Sequence, residues 1–237
     1  MRSTTDLTLA IAALLTMVLA HSATLAEPPQ RTVQLLTSQG LTGWQTKGDP
    51  SRSTWTTGTA TLDANNPRKL RVTPGGEELI NAGAHGLDLY SDAKFGDAVI
   101  ELEVMVPQGS NSGIYVMGEY EIQVLDSYGR TELGMGDMGA IYGAAVPSKN
   151  ASKAPGQWQK YVIEYRAPRF DAEGNKAANA RIIKITLNGQ VIHEDVELDG
   201  ATPGGVTGKE APTGPLMFQG NHGEVAYRNI KITPSGL

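Results

Sequence analysis

Cysteine is absent from the 237 residues of the chain. Its absence excludes disulfide bonds, thiol nucleophiles, cysteine-ligated zinc and a lipid anchor on cysteine. A basic excess is also lacking, because 20 Lys and Arg residues face 25 Asp and Glu residues and the formal net charge is −5. This charge balance indicates neither a nucleic-acid partner nor a membrane-surface partner.

A hydrophobic run long enough to span a membrane is missing as well. The longest apolar stretch, LTLAIAALLTMVLA, has about 14 residues, and a spanning helix needs about 20. It follows Arg2 and precedes the small residues of ATLAE, which is the pattern of a secretory signal peptide. We predict cleavage after Ala26, loss of residues 1–26, and export to the bacterial periplasm or medium. An uncleaved anchor is the alternative.

Glycine and proline are plentiful, with 28 and 13 residues, and they favour many turns over long helices. Apolar and polar residues alternate in AVIELEVMV, KYVIEYRA and ARIIKITLNGQVIHEDVEL, as expected for half-buried strands. Asn188-Gly189 predicts a two-residue hairpin turn that places Ile185 opposite Ile192. The pattern predicts one all-β domain over 32–234, an antiparallel β-sandwich or jelly roll.

The stretch NSGIYVMGEYEIQVL, residues 111–125, reads as two strands with unusual polar residues. Alternation assigns the core side to Ile114, Val116, Ile122 and Val124. A three-residue loop at 118–120 then pairs the strands and opposes Tyr115 to Gln123. This register places Tyr115, Glu121 and Gln123 on one surface.

The polar surface has two interpretations. It is either a plain solvated face or the floor of a sugar site, where polar side chains bind hydroxyls and carboxylates act as acid and base. Asn111 shares the parity of this surface, whereas Asp126 joins it only through a β-bulge near 124–125. EIQVLD resembles the E-I-D-x-x-E strand of laminarinase-type glycosidases, but Gln123 replaces its middle acid and Asp126 is a shorter last acid.

Three histidines remain after residues 1–26 are removed. The predicted hairpin pairs His193 with Lys184 on a solvated face, which indicates a structural role. His85 lies in a glycine-rich turn that is typical of a surface loop. His222 is the candidate acid, base or metal ligand, because FQGNHG places it beside Gln219 and Asn221.

The segment 129–158 is rich in Gly, Ala, Ser and Pro, and it is long for a connection. Such loops are usually functional or disordered. Tyr142 and Trp158 are candidate sugar platforms, with a place in the core as the alternative. Lys153 is a candidate donor to a sugar hydroxyl, with a solvated loop lysine as the alternative.

Six segments in order resemble one known family. They are FGDAVIELEVMVPQGSNSGIYV, YEIQVLDSYG, GAIYGAAVPSKNASKAPGQWQKYVIEYRAPRFD, ARIIKITLNGQVIHEDVEL, GPLMFQGNHG and VAYRNIKI. Together with GWQ at 43–45, they resemble the 3-keto-disaccharide hydrolase domain family. The resemblance implies a concanavalin-like β-sandwich that acts on sugars oxidised at C3. Members often carry Arg or Gln near 117 and Arg near 119, whereas this chain has Met-Gly-Glu, which would remove a cationic contact to substrate.

The chemistry implied by the resemblance is an elimination. A ketone at C3 acidifies the proton on C2, so a base removes it and the C1 substituent leaves when an acid protonates the departing oxygen. Water then adds to the unsaturated ketone. The enolate oxygen needs a hydrogen-bond donor or a divalent metal ion, and the sequence leaves both open.

We assign proton transfer to Glu121, with His222 second and Asp126 as a further candidate. The candidate carbohydrate-binding residues are Asn111, Tyr115, Gln123, Tyr142, Lys153, Trp158, Gln219 and Asn221. The alternative from another class is a non-catalytic, lectin-like carbohydrate-binding module. Clustered acid and base candidates favour the enzyme, because a lectin needs no such set.

Overall fold

The computed structural model describes residues 32–35, 40–83 and 85–236. The predicted signal peptide, 1–26, lies outside these described residues. Within them, no helix has both the length and the apolar character needed to cross a membrane. Helical structure in the described part of the chain is limited to one short 3₁₀ turn, Pro50–Arg52.

The strands form two main antiparallel sheets and one small ribbon. The large sheet contains β1 (Val33–Gln34), β3 (Trp55–Leu62), β4 (Leu70–Asn81), β6 (Ala98–Met105), β9 (Gln159–Arg166), β12 (Ala180–Leu187), β13 (Gln190–Leu198) and β15 (Val225–Pro234). The five-stranded sheet contains β2 (Trp44–Thr46), β5 (Leu89–Phe95), β7 (Asn111–Val116), β8 (Tyr120–Leu125) and β14 (Gly214–Phe218). The ribbon pairs β10 (Arg169–Phe170) with β11 (Lys176–Ala178).

The two sheets pack face to face around the main apolar core. The large sheet runs β13-β12-β9-β6-β15-β4-β3, with β1 beside β15, and the smaller sheet runs β2-β5-β14-β7-β8. Ile114 and Ile122 of the smaller sheet are fully buried in the same cluster as Ile163 of the large sheet. The predicted all-β antiparallel sandwich is therefore confirmed.

The β7–β8 hairpin has the predicted faces but a different register. Tyr115 lies opposite Glu121, and Gly113 lies opposite Gln123, so the loop is 117–119 instead of 118–120. The slip does not change the faces, because it moves the pairing by two positions and side chains alternate with a period of two. Met117 adopts a φ of 53° at the start of this tight loop.

The β12–β13 hairpin turns at Asn188-Gly189, as predicted, with φ angles of 53° and 79°. A bulge at Ile185 then shifts the register, so that Ile185 faces His193 and the predicted pairing with Ile192 is wrong. His193 is consequently buried, and the predicted solvated face is also wrong. Its Nε2 donates to the Gly139 carbonyl at 2.8 Å, and burial lowers its pKa.

Candidate active site

A cavity of about 360 Å³ opens on the face of the five-stranded sheet that points away from the core. We call it the Glu121 cavity. Strands β7 and β8 form its floor, and loops form its rim. It is lined by Lys47, Asp88, Asn111, Tyr115, Glu121, Gln123, Tyr142, Pro203, Gly204, Gln219, Asn221 and His222.

Eight of the eleven candidate residues line this cavity. Strand alternation explains four of them, since Asn111 and Tyr115 of β7 and Glu121 and Gln123 of β8 share one face. The other four come from loops and are Tyr142, Gln219, Asn221 and His222. Tyr142 is 39% exposed, so its ring stands at the rim and not in the core.

Glu121 is the acid of the cavity whose pKa is shifted from its ordinary value. The residue is 3% exposed, and its Oε1 atom fills the space over Gly113, where a Cβ atom would lie 2.4 Å away. Burial raises the pKa of its carboxyl to about 7, contact with the Tyr115 hydroxyl opposes the rise, and the Asp88 carboxylate adds to it. A carboxyl that titrates near neutrality can take up and release a proton under physiological conditions.

Tyr115 places a protonated hydroxyl beside the Glu121 carboxyl. Its hydroxyl donates to the Pro203 carbonyl at 3.1 Å and accepts from Nε2 of Gln219 at 3.5 Å. Burial, followed by the charge of Glu121, raises the pKa of Tyr115 well above its ordinary value. The hydroxyl therefore stays a hydrogen-bond donor at neutral pH.

Four buried side-chain oxygens in the cavity have no hydrogen-bond partner among the described residues. They are Asn111 Oδ1, Glu121 Oε1, Gln123 Oε1 and Gln219 Oε1. Buried polar atoms in folded proteins are almost always paired. Rotating any of the three amides would only replace the unpaired acceptor by a donor. The cluster therefore suits a ligand with several hydroxyl groups.

The long segment 129–158 covers the free edge of β8. The Tyr142 amide donates to the Glu121 carbonyl at 3.0 Å. The Gln123 amide donates to the Ala140 carbonyl at 2.8 Å, and the Gln123 carbonyl accepts from the Gly139 amide at 2.8 Å. These bonds satisfy an edge strand that would otherwise expose its backbone groups. They also hold Tyr142 at the rim.

A second loop, residues 199–213, forms the opposite wall. The Thr202 hydroxyl accepts from the Glu121 amide at 3.0 Å and donates to the Glu119 carbonyl at 2.9 Å. The buried Glu119 carboxylate accepts from the amides of Thr207 and Gly208 at 2.8 and 2.9 Å. Glu119 at the hairpin tip therefore anchors the loop, where the family resemblance implied a cationic contact to substrate.

Asn81 positions the segment that carries Asn221 and His222. Its side chain is completely buried, and its Nδ2 donates to the carbonyls of Gly220 and Gly223, each at 2.8 Å. Gly220 has no room for a side chain, because a Cβ atom would lie 2.0 Å from the Leu87 carbonyl oxygen. This packing fixes the backbone directly before Asn221.

Sequence analysis missed two charged residues of the cavity. Lys47 follows β2, and its Nζ donates to the carbonyls of Gly204 and Gly205 at 2.6 and 2.7 Å. Asp88 precedes β5. Its Oδ2 lies 3.9 Å from the Lys47 Nζ, and its Oδ1 accepts from the Gly220 amide at 3.1 Å. No local pattern marked either residue, since each reaches the cavity only when β2 and β5 pair beside β14.

Asp126 does not reach the Glu121 cavity. Strand β8 stays in register with β7 up to Leu125, so the bulge that would redirect Asp126 does not form. Its carboxylate accepts from the Gly109 amide at 2.9 Å, and its own amide donates to the Ser110 carbonyl at 3.1 Å. In this structure Asp126 stabilises the turn before β7.

Trp158 and Lys153 also lie away from the cavity. Trp158 packs against a small cluster on the large sheet, with the Arg228 guanidinium 4.1 Å from its ring centre. The Lys153 Nζ donates to the Trp158 carbonyl at 3.1 Å. Both residues lie in the last part of the loop, directly before β9, on the far side of the sandwich. His85 is exposed in a turn, as expected for a surface loop.

The described residues include no group of three or more His, Asp or Glu side chains arranged to hold a metal ion. Within the cavity, Glu121 and Asp88 are the carboxylates and His222 is the imidazole. The His222 Nδ1 is hydrogen-bonded to the Asn221 side-chain oxygen. Its other ring nitrogen is the one that can face a ligand.

Residues 32–233 match the family described as the 3-keto-alpha-glucoside-1,2-lyase-like domain. The chain belongs to this family. Among solved structures, a glycosyl hydrolase candidate from Parabacteroides distasonis is 27% identical, with a TM-score of 0.65, and the match covers 86% of this chain and 84% of the other. No curated protein is significantly similar to the sequence.

A second glycosyl hydrolase candidate from Parabacteroides distasonis has a TM-score of 0.60 over 86% of this chain and 94% of its own. Its identity is 16%, so this likeness concerns the fold alone. The family match spans both main sheets and every segment that lines the Glu121 cavity.

Proposed function

We propose that the protein is a lyase that cleaves 3-keto-glycosides by elimination between C1 and C2, with hydration of the product completing a net hydrolysis. One observation carries the proposal: an acid with a pKa of about 7 shares a polar cavity with three unpaired, buried amide oxygens. The oxygens suit the hydroxyls of a sugar, and the acid suits removal of a proton from carbon. Family membership supports the same carbohydrate chemistry.

In the first step the Glu121 carboxylate removes the proton from C2. The electrons of the C2–H bond move into a C2–C3 double bond, and the C3 ketone oxygen becomes an enolate oxygen. The side-chain amides of the cavity are donors that can face this oxygen, and the Tyr115 hydroxyl becomes a further donor when its proton turns away from the Pro203 carbonyl. A divalent metal ion remains the alternative electrophile, and the experiment below tests it.

In the second step the ketone reforms, a C1–C2 double bond forms, and the bond from C1 to the leaving oxygen breaks. In an α-glucoside the C2 proton and the C1 oxygen lie on opposite faces of the ring. With Glu121 on the floor, the leaving oxygen therefore points to the rim, where exposed His222 can protonate it. Water added to the new double bond completes the hydrolysis.

The test compares 4-nitrophenyl 3-keto-α-glucoside with unoxidised 4-nitrophenyl α-glucoside, with and without EDTA. We expect nitrophenol release from the oxidised substrate only, transient absorbance of an unsaturated ketone, and a slower rate when deuterium replaces the C2 proton. Equal cleavage of the unoxidised glucoside would overturn the mechanism. Loss of activity in EDTA that a divalent ion restores would assign the electrophile to the metal.

Variants separate catalysis from binding. Glu121→Gln keeps the shape of the side chain and removes its ionisation, so turnover should fall by about 10²–10⁴-fold. Glu173→Gln, at an exposed turn far from the cavity, is the matched control. Sugar binding without turnover in the native protein would instead support the lectin-like module.

A further inference from the structure

Lys47 brings an ammonium group to the wall of the Glu121 cavity. The residue lies directly after β2, and its backbone amide donates to the Asp88 carbonyl at 2.8 Å, which fixes the start of the side chain. Its Nζ donates to the carbonyls of Gly204 and Gly205 at 2.6 and 2.7 Å. The proposed elimination has so far assigned no task to this group.

The ammonium group of Lys47 keeps one hydrogen for a ligand. An ammonium has three N–H donors, and the two loop carbonyls occupy two of them. The Asp88 Oδ2 lies 3.9 Å from Nζ, which is too far for a hydrogen bond. Within the described part of the chain, Nζ makes no other hydrogen bond. The third donor is therefore available to a molecule in the cavity.

Lys47 and Tyr115 bind neighbouring peptide groups of one loop segment. The Tyr115 hydroxyl donates to the Pro203 carbonyl at 3.1 Å, and a Cβ atom on Gly204 would lie 2.8 Å from that hydroxyl. Lys47 binds the carbonyl of the same Gly204. The ammonium group therefore lies on the side of the cavity where Tyr115 contacts the Glu121 carboxyl.

The first step of the elimination moves a negative charge across the cavity. The charge lies on the Glu121 carboxylate before the step and on the C3 enolate oxygen after it. Besides burial, which is the main cause, the charge of Asp88 raises the pKa of Glu121, and the same charge opposes a new anion nearby. Apart from His222, Lys47 is the basic residue among the described residues that line the cavity. Its charged donor forms a hydrogen bond about twice as strong as that of a neutral amide or hydroxyl.

We propose that Lys47 is a catalytic residue that binds the C3 oxygen of the substrate and stabilises the enolate formed there. The proposal rests on the proposed function and names the electrophile of its first step. The third N–H of Lys47 donates to the ketone oxygen of the bound substrate and to the enolate oxygen after Glu121 has taken the C2 proton. No proton leaves the ammonium. The two loop carbonyls hold the donor in place before the charge appears, so little reorganisation is needed.

The first test compares Lys47→Met, which keeps the length of the side chain and removes its charge, with Lys47→Arg, which keeps the charge. With 4-nitrophenyl 3-keto-α-glucoside, kcat should fall about 10²–10³-fold in Lys47→Met, as expected for loss of a donor to an oxyanion. Lys47→Arg should regain at least about tenfold of this loss. Lys94→Met, at an exposed position of β5 outside the cavity, is the matched control. A kcat within about threefold of the native value in Lys47→Met would overturn the proposal.

The second test separates a catalytic role from a purely structural one, because Lys47→Met also removes two hydrogen bonds from the loop 199–213. The two ligands are neutral methyl α-glucoside and the nitronate of methyl 3-deoxy-3-nitro-α-glucoside. The nitronate has a planar C3 and negatively charged oxygens beside it, so it resembles the enolate. In titration calorimetry, Lys47→Met should weaken nitronate binding at least about tenfold and leave methyl α-glucoside binding nearly unchanged.

Glu119→Ala is the comparison for this second test. It removes the bonds from the Glu119 carboxylate to the same loop and keeps the ammonium of Lys47, so it should weaken both ligands alike. Equal weakening of both ligands in Lys47→Met would show that Lys47 only anchors the loop, and it would overturn the proposal. Loss of activity in EDTA that a divalent ion restores would also overturn it, because the metal would then bind the enolate oxygen.

Failure of the proposed function gives a different result from failure of the role of Lys47. A native protein that cleaves 3-keto-glucosides as fast as Lys47→Met keeps the lyase proposal and disproves the role of Lys47. A native protein that cleaves no keto-glycoside disproves the lyase proposal. Nitronate binding that Lys47→Met weakens would then still support Lys47 as the residue that binds an anionic oxygen at C3, and unchanged nitronate binding would overturn it.

Discussion

The Glu121 carboxylate occupies the space that a side chain on Gly113 would fill. The two residues lie on neighbouring strands, and a Cβ atom at position 113 would be 2.4 Å from Glu121 Oε1. The same Cβ atom would lie 3.0 Å from the ring of Tyr115. A glycine in the middle of a strand is normally unfavourable, and here it lets an acid fold down against the sheet.

Gly113→Ala should therefore displace the acid without unfolding the strand, because the φ of Gly113 is not in the left-handed region. We expect kcat on a 3-keto-glucoside to fall at least about tenfold, since a displacement of 1 Å at a reacting group can cost about 10²-fold. Gly136→Ala is the control, because a Cβ atom there meets nothing within 4 Å. Full activity in Gly113→Ala would show that the position of Glu121 is unimportant.

The raised pKa of Glu121 predicts an unusual dependence of stability on pH. Its pKa is 4.5 for a free side chain and about 7 in the fold. Between these values the folded state holds a proton that the unfolded chain has released, so stability falls as pH rises through this window. Glutamine stays neutral, so Glu121→Gln should be more stable than the native protein at pH 8, by up to about 3 kcal/mol.

Urea denaturation of both proteins at pH 4 and pH 8 measures this difference. The gain from Glu121→Gln should be small at pH 4, where both folded forms are neutral at position 121. Glu173→Gln should show no such pH-dependent gain, because Glu173 is exposed. A native protein that becomes more stable relative to Glu121→Gln as pH rises would contradict the raised pKa.

The same titration predicts the pH profile of activity. A base must be ionised to accept a proton, so kcat/KM should fall tenfold per pH unit below about pH 7. Asp88→Asn removes a neighbouring negative charge, so it should move this midpoint to lower pH. A profile that is flat between pH 5 and pH 8 would exclude Glu121 as the base.

The hydrogen bonds of Glu119 are expected to hold the loop 199–213, which forms one wall of the Glu121 cavity. Its carboxylate accepts from Thr207 and Gly208, and no room exists for a side chain at Gly205, where a Cβ atom would lie 2.1 Å from the same carboxylate. Glu119→Ala should release this loop. Limited trypsin digestion should then cut after exposed Lys209 at least about tenfold faster.

Glu194→Ala is the control for this digestion, because Glu194 is exposed on β13. Cleavage after Lys209 at the native rate in Glu119→Ala would show that other contacts hold the loop. Mass spectrometry identifies the cut site and separates local release from global unfolding.

Local patterns were sufficient to predict the sandwich and the polar face of β7 and β8. Alternation needs no knowledge of distant residues, and an error of two positions in the hairpin register leaves Tyr115, Glu121 and Gln123 on the same side. The bulge at Ile185 had no local signal, and it reversed the expected exposure of His193.

The other incorrect or missing site assignments depend on contacts between residues that are distant in sequence. Lys47 and Asp88 join the cavity through strand order, which sequence periodicity does not encode. Trp158 and Tyr142 were equal candidates for a sugar platform, yet Tyr142 lines the Glu121 cavity and Trp158 packs against the small cluster on the large sheet. The family resemblance was needed to connect the 219–222 segment with β8.

A substitution at Asn81 tests how far the position of His222 depends on the buried Asn81 side chain. Its side-chain amide donates to the carbonyls of Gly220 and Gly223, and its oxygen accepts from the Thr54 hydroxyl. Asn81→Asp keeps the shape and places a carboxylate against carbonyl oxygens. We expect a loss of at least about 2 kcal/mol in unfolding free energy, because buried acceptors lose their donor and a charge is buried.

The local effect should exceed the global one. Amide hydrogen exchange at 220–223 should speed up in Asn81→Asp more than exchange in β9, since only the first segment is bonded to Asn81. Activity should fall with it if His222 protonates the leaving group. Asn65→Asp, at an exposed turn, is the matched control. Uniform exchange changes across both segments would show that Asn81 stabilises the whole sandwich and does not specifically position the loop.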